Sequence, residues 1–80
     1  MKTIRAFEIK YVPATNTKGS RVSIHDLRNN KRKIISYNYE YNNIYQIAKS
    51  YLSGIGIVCS GVSETPKGYI LFSENFETQI

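Results

Sequence analysis

Apolar residues alternate with polar ones in the first half of the chain, take up helical spacing in the middle, and return to strand-like runs before the end. Over residues 3–12, Phe7, Ile9 and Tyr11 fall on one side and Glu8 and Lys10 on the other, the period of a half-buried strand. Pro13 has no N–H for a ladder, so this strand ends there or lies on an edge. Asn, Gly and Ser make residues 15–20 a loop. Val22, Ile24 and Leu27 then open a second strand, and Asn29-Asn30 occupies the place of a two-residue hairpin turn. Pairing Arg28 with Lys31 across that turn sets Ile24 opposite Ile35, Val22 opposite Tyr37 and Asp26 opposite Lys33, all on one face. The other face carries Arg21, Ser23, His25, Arg32, Ile34, Ser36 and Asn38, a mostly polar surface expected to be wet or bound.

Asn43-Ile44-Tyr45-Gln46 has the form of a helix start, with Asn43 placed to cap the third amide and Gln46 to reach back. Ile44, Ile47, Ala48, Tyr51 and Leu52 follow as one stripe, and Ser53-Gly54 supplies a stop with Gly54 in the left-handed position. Residues 55–63 and 69–73 read as two more strands joined by Thr65-Pro66-Lys67-Gly68, with Gly61 marking a bulge or a close backbone contact. The expected fold is α+β: a small antiparallel sheet, in the order β-β-β-α-β-β, with one helix packed on one face. Residues 1–80 form a single domain in which 73–80 is a partly ordered tail anchored by Phe76.

Composition changes this picture in two ways. Eighty residues bury only about 60% of the unfolded chain's surface, so the core is thin and there is no room for a second site-bearing domain. The net charge of +5 is also unevenly spread: residues 1–33 hold nine Lys or Arg against Glu8 and Asp26, and residues 34–80 hold Lys49 and Lys67 against four Glu. Such polarity suits an anionic partner, most often nucleic acid, and is also found as a solvated face of small domains. The lone Cys59 excludes an internal disulfide, no leader-like segment precedes the first strand, and no apolar run reaches membrane-spanning length. The expected compartment is the cytoplasm, with no membrane partner.

Candidate chemistry is sparse. One Cys and one His cannot assemble a typical zinc site, and Cys59, among Ile57, Val58 and Val62, reads as a small core residue rather than the nucleophile of a pair with His25. The carboxylates form no close pair for acid–base work or magnesium, so no catalytic residue, metal or cofactor is assigned and the chain is not expected to be an enzyme. What remains is a binding surface. Lys18 and Arg21 flank Gly19 in a loop rich in amides and hydroxyls, which could seat a phosphate or be a plain β connection with solvated cations. Arg28, Lys31, Arg32 and Lys33 crowd the hairpin tip, the strongest local positive field. Among seven tyrosines, Tyr39, Tyr41 and Tyr45 run from the end of the hairpin into the helix. Any of them exposed near the basic turn would offer a stacking ring to a single strand or a contact to a protein partner, and core or helix packing is the alternative for at least half of the tyrosines. Tyr45, lying off the apolar stripe, is expected to be free for a partner.

The segment Tyr11-Val12-Pro13-Ala14-Thr15-Asn16-Thr17-Lys18-Gly19-Ser20-Arg21 resembles one that recurs in small proteins of phages, plasmids and other mobile elements. With its abundant Lys, Asn, Ile and Tyr, the chain is similar to the small accessory proteins of staphylococcal cassette elements, one type of which is encoded beside an A-family DNA polymerase. This resemblance implies a non-catalytic subunit that binds a polymerase and helps hold template or nucleotide. Taken with the basic surface and the tyrosines, the expected function is an accessory subunit of mobile-element DNA replication that binds nucleic acid, with single-stranded DNA the expected form, and a polymerase partner to support priming. The alternative is an anti-defence inhibitor that blocks a host nuclease or CRISPR effector by protein contact.

Overall fold

A computed structural model describes residues 4–78 and 80. The elements are β1 (Arg5–Val12), β2 (Arg21–Asp26), β3 (Lys31–Ser36), α1 (Ile44–Gly54), β4 (Cys59–Thr65) and β5 (Gly68–Ser73). They form a five-stranded antiparallel sheet in the order β3-β2-β1-β5-β4, with α1 packed against β1, β2, β4 and β5 but not β3. This is the α+β arrangement, element for element, that the hydrophobic pattern predicts; the expected first residue of the first strand, Thr3, lies outside the described residues.

Strand alternation sends Phe7, Ile9, Val22, Ile24 and Leu71 to the helix side, where they close with Ile47, Ala48, Leu52 and Ile57 into one core. Of the predicted helix stripe, Ile47, Ala48 and Leu52 are buried, while Ile44 and Tyr51 pack half-buried at its margin. Gly68 stands where β5 crosses β1 so closely that a Cβ would collide with the Ile9 carbonyl. Gly61 lies at the register shift between Cys59 and Gly61, the bulge expected there.

Three local details differ from the sequence reading. The helix runs through Gly54, and the left-handed residue is Gly56, at φ 97°. Gly56 N–H reaches Ser53 O at 3.1 Å and Ile57 N–H reaches Leu52 O at 2.8 Å, a Schellman closure that tucks Ile57 into the core beside Leu52. This closure occupies residues 55–57, which is why β4 begins only at Cys59. At the other end, Asn43 makes no side-chain cap bond, and Gln46 Oε1 instead accepts from Asn42 N–H at 3.1 Å.

The third difference is the β2–β3 register. Ile24 faces Lys33, Val22 faces Ile35 and Asp26 faces Lys31, two residues away from the predicted pairing. The turn spans four residues, 27–30, because Asp26 Oδ1 accepts the amides of Arg28 and Asn29 at 3.1 and 3.3 Å and Asn30 alone takes positive φ, 52°. A two-residue slip keeps every side chain on its face, so the core survives the change.

Asp26 also pairs with a residue outside the expected hairpin. Its Oδ2 meets Arg5 Nη2 at 2.6 Å, with both side chains fully buried, and Arg5 Nη1 donates to the carbonyls of Asn75 and Thr78 at 3.0 and 2.6 Å. Burial works against the Asp26 carboxylate, but hydrogen bonds from Arg5 and Asn29, together with the Arg5 charge, outweigh it and hold its pKa below the usual value. The segment after β5 is therefore tied down by more than Phe76. Asn75 Nδ2 donates to Gly56 O, Asn75 N–H donates to Ser73 Oγ, and Arg28 lies 4.7 Å over the Phe76 ring.

Candidate nucleic-acid interface

The loop between β1 and β2 is held by its own turn, in which Thr15 N–H donates to Lys18 O at 2.7 Å and Lys18 N–H to Thr15 Oγ1 at 3.1 Å. Its far end is fastened to the exit of β3: Tyr37 N–H donates to Ser20 O at 3.1 Å, and the hydroxyls of Tyr11 and Ser20 are 2.7 Å apart. These bonds bring Lys18 and Arg21 beside a short ladder of rings. Tyr11 meets Tyr37 edge-on at 5.9 Å, and Tyr37 carries Tyr39 at 4.8 Å.

Tyr39 is 82% exposed and stands between two hollows. One, of about 460 Å³, is lined by Lys18, Gly19, Ser20, Arg21, Ser36, Tyr37 and Tyr39. The other, of about 690 Å³, is lined by residues 36–40 and includes Glu40. An Asx turn shapes the second, with Glu40 N–H donating to Asn38 Oδ1 at 2.9 Å. The first hollow has two cations and no carboxylate in its lining, and Arg21 Nε is buried with no hydrogen-bond partner among the described residues. A phosphate is favoured there and disfavoured beside Glu40.

The six predicted phosphate-binding cations do not form one surface. Lys18 and Arg21 lie at one end of β2, and Arg28, Lys31, Arg32 and Lys33 lie toward the other, from roughly 10 Å along the strand for Lys33, opposite Ile24, to roughly 17 Å for Lys31, opposite Asp26. Within the tip, alternation puts Lys31 and Lys33 on the helix side and Arg32 on the open side beside His25, while Arg28 is engaged on Phe76. Two of the nine cations in residues 1–33 are engaged within the fold and leave the other seven as the basic excess: Arg5 is buried against Asp26, and Lys10 pairs with Glu8 at 3.1 Å.

The predicted tyrosines divide in the same way. Tyr39 is free, but Tyr41 is half-buried with its hydroxyl donating to Ser50 Oγ at 3.0 Å, and Tyr45 packs on Tyr69 with ring centroids 5.0 Å apart. The expectation that Tyr45 is spare is therefore corrected, because the sheet extends beyond the helix stripe and Tyr69 on β5 fills the space beside it. Tyr11 and Tyr37 join the surface without any signal in the linear pattern, beside Ser20, one of the hydroxyls of the loop that flanks Gly19. That pattern pairs Tyr37 with Val22 inside the ladder; the true register moves it opposite Ser20, at the mouth of the loop.

Among the described residues, no three His, Cys, Asp or Glu side chains cluster as metal ligands. Cys59 and His25 lie on strands separated by β1 and β5 and on opposite faces, so they form no pair. Cys59 is half-buried, and burial pushes its thiol pKa up, with Lys49 offsetting part of the effect. No helix among the described residues is long and apolar enough to cross a membrane. No protein-family model, curated protein or solved structure matches the chain.

Proposed function

We propose that this protein is a non-catalytic binder of single-stranded nucleic acid. The observation that carries the reading is Tyr39, exposed on the Tyr37 ring beside a hollow lined by Lys18 and Arg21. A base stacks on Tyr39 while the neighbouring phosphate sits between the two cations, the combination of flat ring and charge that single-strand binders use. A duplex keeps its bases inside the stack and offers Tyr39 nothing to cover, so single strands are preferred. In the setting that the resemblance implies, the module would hold template beside an A-family DNA polymerase and support priming.

Anisotropy titrations with labelled oligothymidylate, the matching single-stranded RNA and a duplex, each at two salt concentrations, test this reading. Tyr39→Ala should weaken single-strand binding by about 1–3 kcal/mol, roughly 5- to 150-fold, with the salt slope unchanged. Lys18→Ala with Arg21→Ala should flatten the slope by about 0.7 for each phosphate that is no longer neutralised. No affinity for a single strand at low salt, or equal affinity of the wild type and Tyr39→Ala, refutes the proposal.

A further inference from the structure

The sheet ends on one side in β3 and on the other in β4, and the two edges are built differently. An edge strand displays unpaired N–H and C=O groups, and charge or proline commonly guards it. Strand β3 carries Lys31, Arg32 and Lys33. Strand β4 reads Cys-Ser-Gly-Val-Ser-Glu-Thr, with no Lys, Arg or Pro, and among the described residues no strand lies along its outer side. Val62 within it is 46% exposed and Val58 just before it 73% exposed.

The group that satisfies such an edge is another strand. Thr65 faces Gly68 across the two-residue turn Pro66-Lys67 and so forms the hydrogen-bonded pair that closes the hairpin. Alternation then turns the N–H and C=O of Val62 and Glu64 outward. The regular part of the edge, from Gly61 to Thr65, is bounded by the bulge at Cys59/Gly61 and is centred on Ser63.

We propose that two copies of this chain pair antiparallel through β4, about a two-fold axis at Ser63. In that register Val62 exchanges backbone hydrogen bonds with the partner's Glu64 on each side of the axis, Gly61 lies opposite the partner's Thr65, and Ser63 meets its own copy. No like charges oppose one another, because Glu64 faces valine and Ser63 faces serine. The same operation at β3 would bring two Lys-Arg-Lys runs together. Net charge favours this side as well, since β4 belongs to the half of the sequence with more Glu than Lys, and the basic ends of the two copies point apart. The helices fall on one face of a continuous sheet, and the pairing does not depend on the nucleic-acid reading.

Sedimentation equilibrium of the full chain, without nucleic acid, should show a monomer–dimer equilibrium. Ser63→Lys, at an exposed position, should raise the dimer dissociation constant at least about tenfold while leaving the thermal transition and oligothymidylate binding in place. Ser63→Cys should give an oxidised dimer whose cross-link maps to position 63, because directly opposed residues of a non-hydrogen-bonded pair stand about 4.5 Å apart at Cα, within disulfide reach. A wild-type chain that stays monomeric up to about 1 mM overturns the proposal. So does a dimer that survives Ser63→Lys, a cross-link that does not form at position 63, or exchange protection of the Val62 and Glu64 amides that arises only when a different protein is added.

Discussion

Replacing Asp26 by Asn tests what holds the two ends of this fold together. The substitution keeps the shape and one acceptor for the Arg28 and Asn29 amides but removes the charge that faces Arg5 at 2.6 Å, where both side chains are fully buried. Arg5 would remain in the interior, 4.7 Å from the Phe7 ring, with only two carbonyls and a π face as partners. Breaking one side of a buried ion pair costs about 3–5 kcal/mol. An 80-residue domain has roughly 4–12 kcal/mol in total, so the variant should be marginal or unfolded at 25 °C. Urea denaturation followed by circular dichroism measures this directly. Adding Arg5→Met to Asp26→Asn should recover about 1–3 kcal/mol, because no unpaired charge is then left inside. The pH dependence has a definite sign. The Asp26 pKa is lowered on folding, so its contribution is present above the ordinary carboxylate value near 3.9 and is lost as pH falls through the lower folded value. A destabilisation below about 1 kcal/mol for Asp26→Asn, or a double variant less stable than the single one, would show that the pair does not carry the fold in the way argued.

Other substitutions separate packing from binding. Tyr45→Ala should lower stability by about 2 kcal/mol by removing the ring that packs on Tyr69 and against the core, whereas Tyr39→Ala should leave the melting temperature nearly unchanged; calorimetry of both variants checks the contrast. Gly68→Ala should cost about 1–3 kcal/mol or prevent folding, because its methyl group meets the Ile9 carbonyl; a denaturation midpoint equal to that of the wild type would contradict the close crossing of β5 over β1. Arg32→Ala with Lys33→Ala should weaken nucleic-acid binding less than Lys18→Ala with Arg21→Ala, since the tip lies at the far end of β2 from Tyr39, and anisotropy at matched salt ranks the two pairs.

Much of the architecture is legible in the residues alone. A period of two over residues 3–12 and 22–37, and a helical stripe from Ile44 to Leu52, dictate which faces are apolar, and a thin sheet with one helix has few ways to bury them. The number, type and order of elements, the core faces, and the special roles of Gly61 and Pro66 are consequences of local chemistry. Tertiary structure decided whatever depends on partners distant in sequence. Nothing local distinguishes Arg5 from the other eight cations of the first 33 residues; only the β1–β2 pairing sets it beside Asp26. The hairpin register was beyond pattern reading for a different reason: a slip of two residues preserves every face, so hydrophobicity cannot select between the two pairings, and the Asp26 turn bonds make the choice. That choice moves Tyr37 to the mouth of the β1–β2 loop, assembles the tyrosine ladder beside Lys18 and Arg21, and leaves the remaining cations at the opposite end of the strand, because a surface is defined by proximity in space whereas charge along a sequence records only composition.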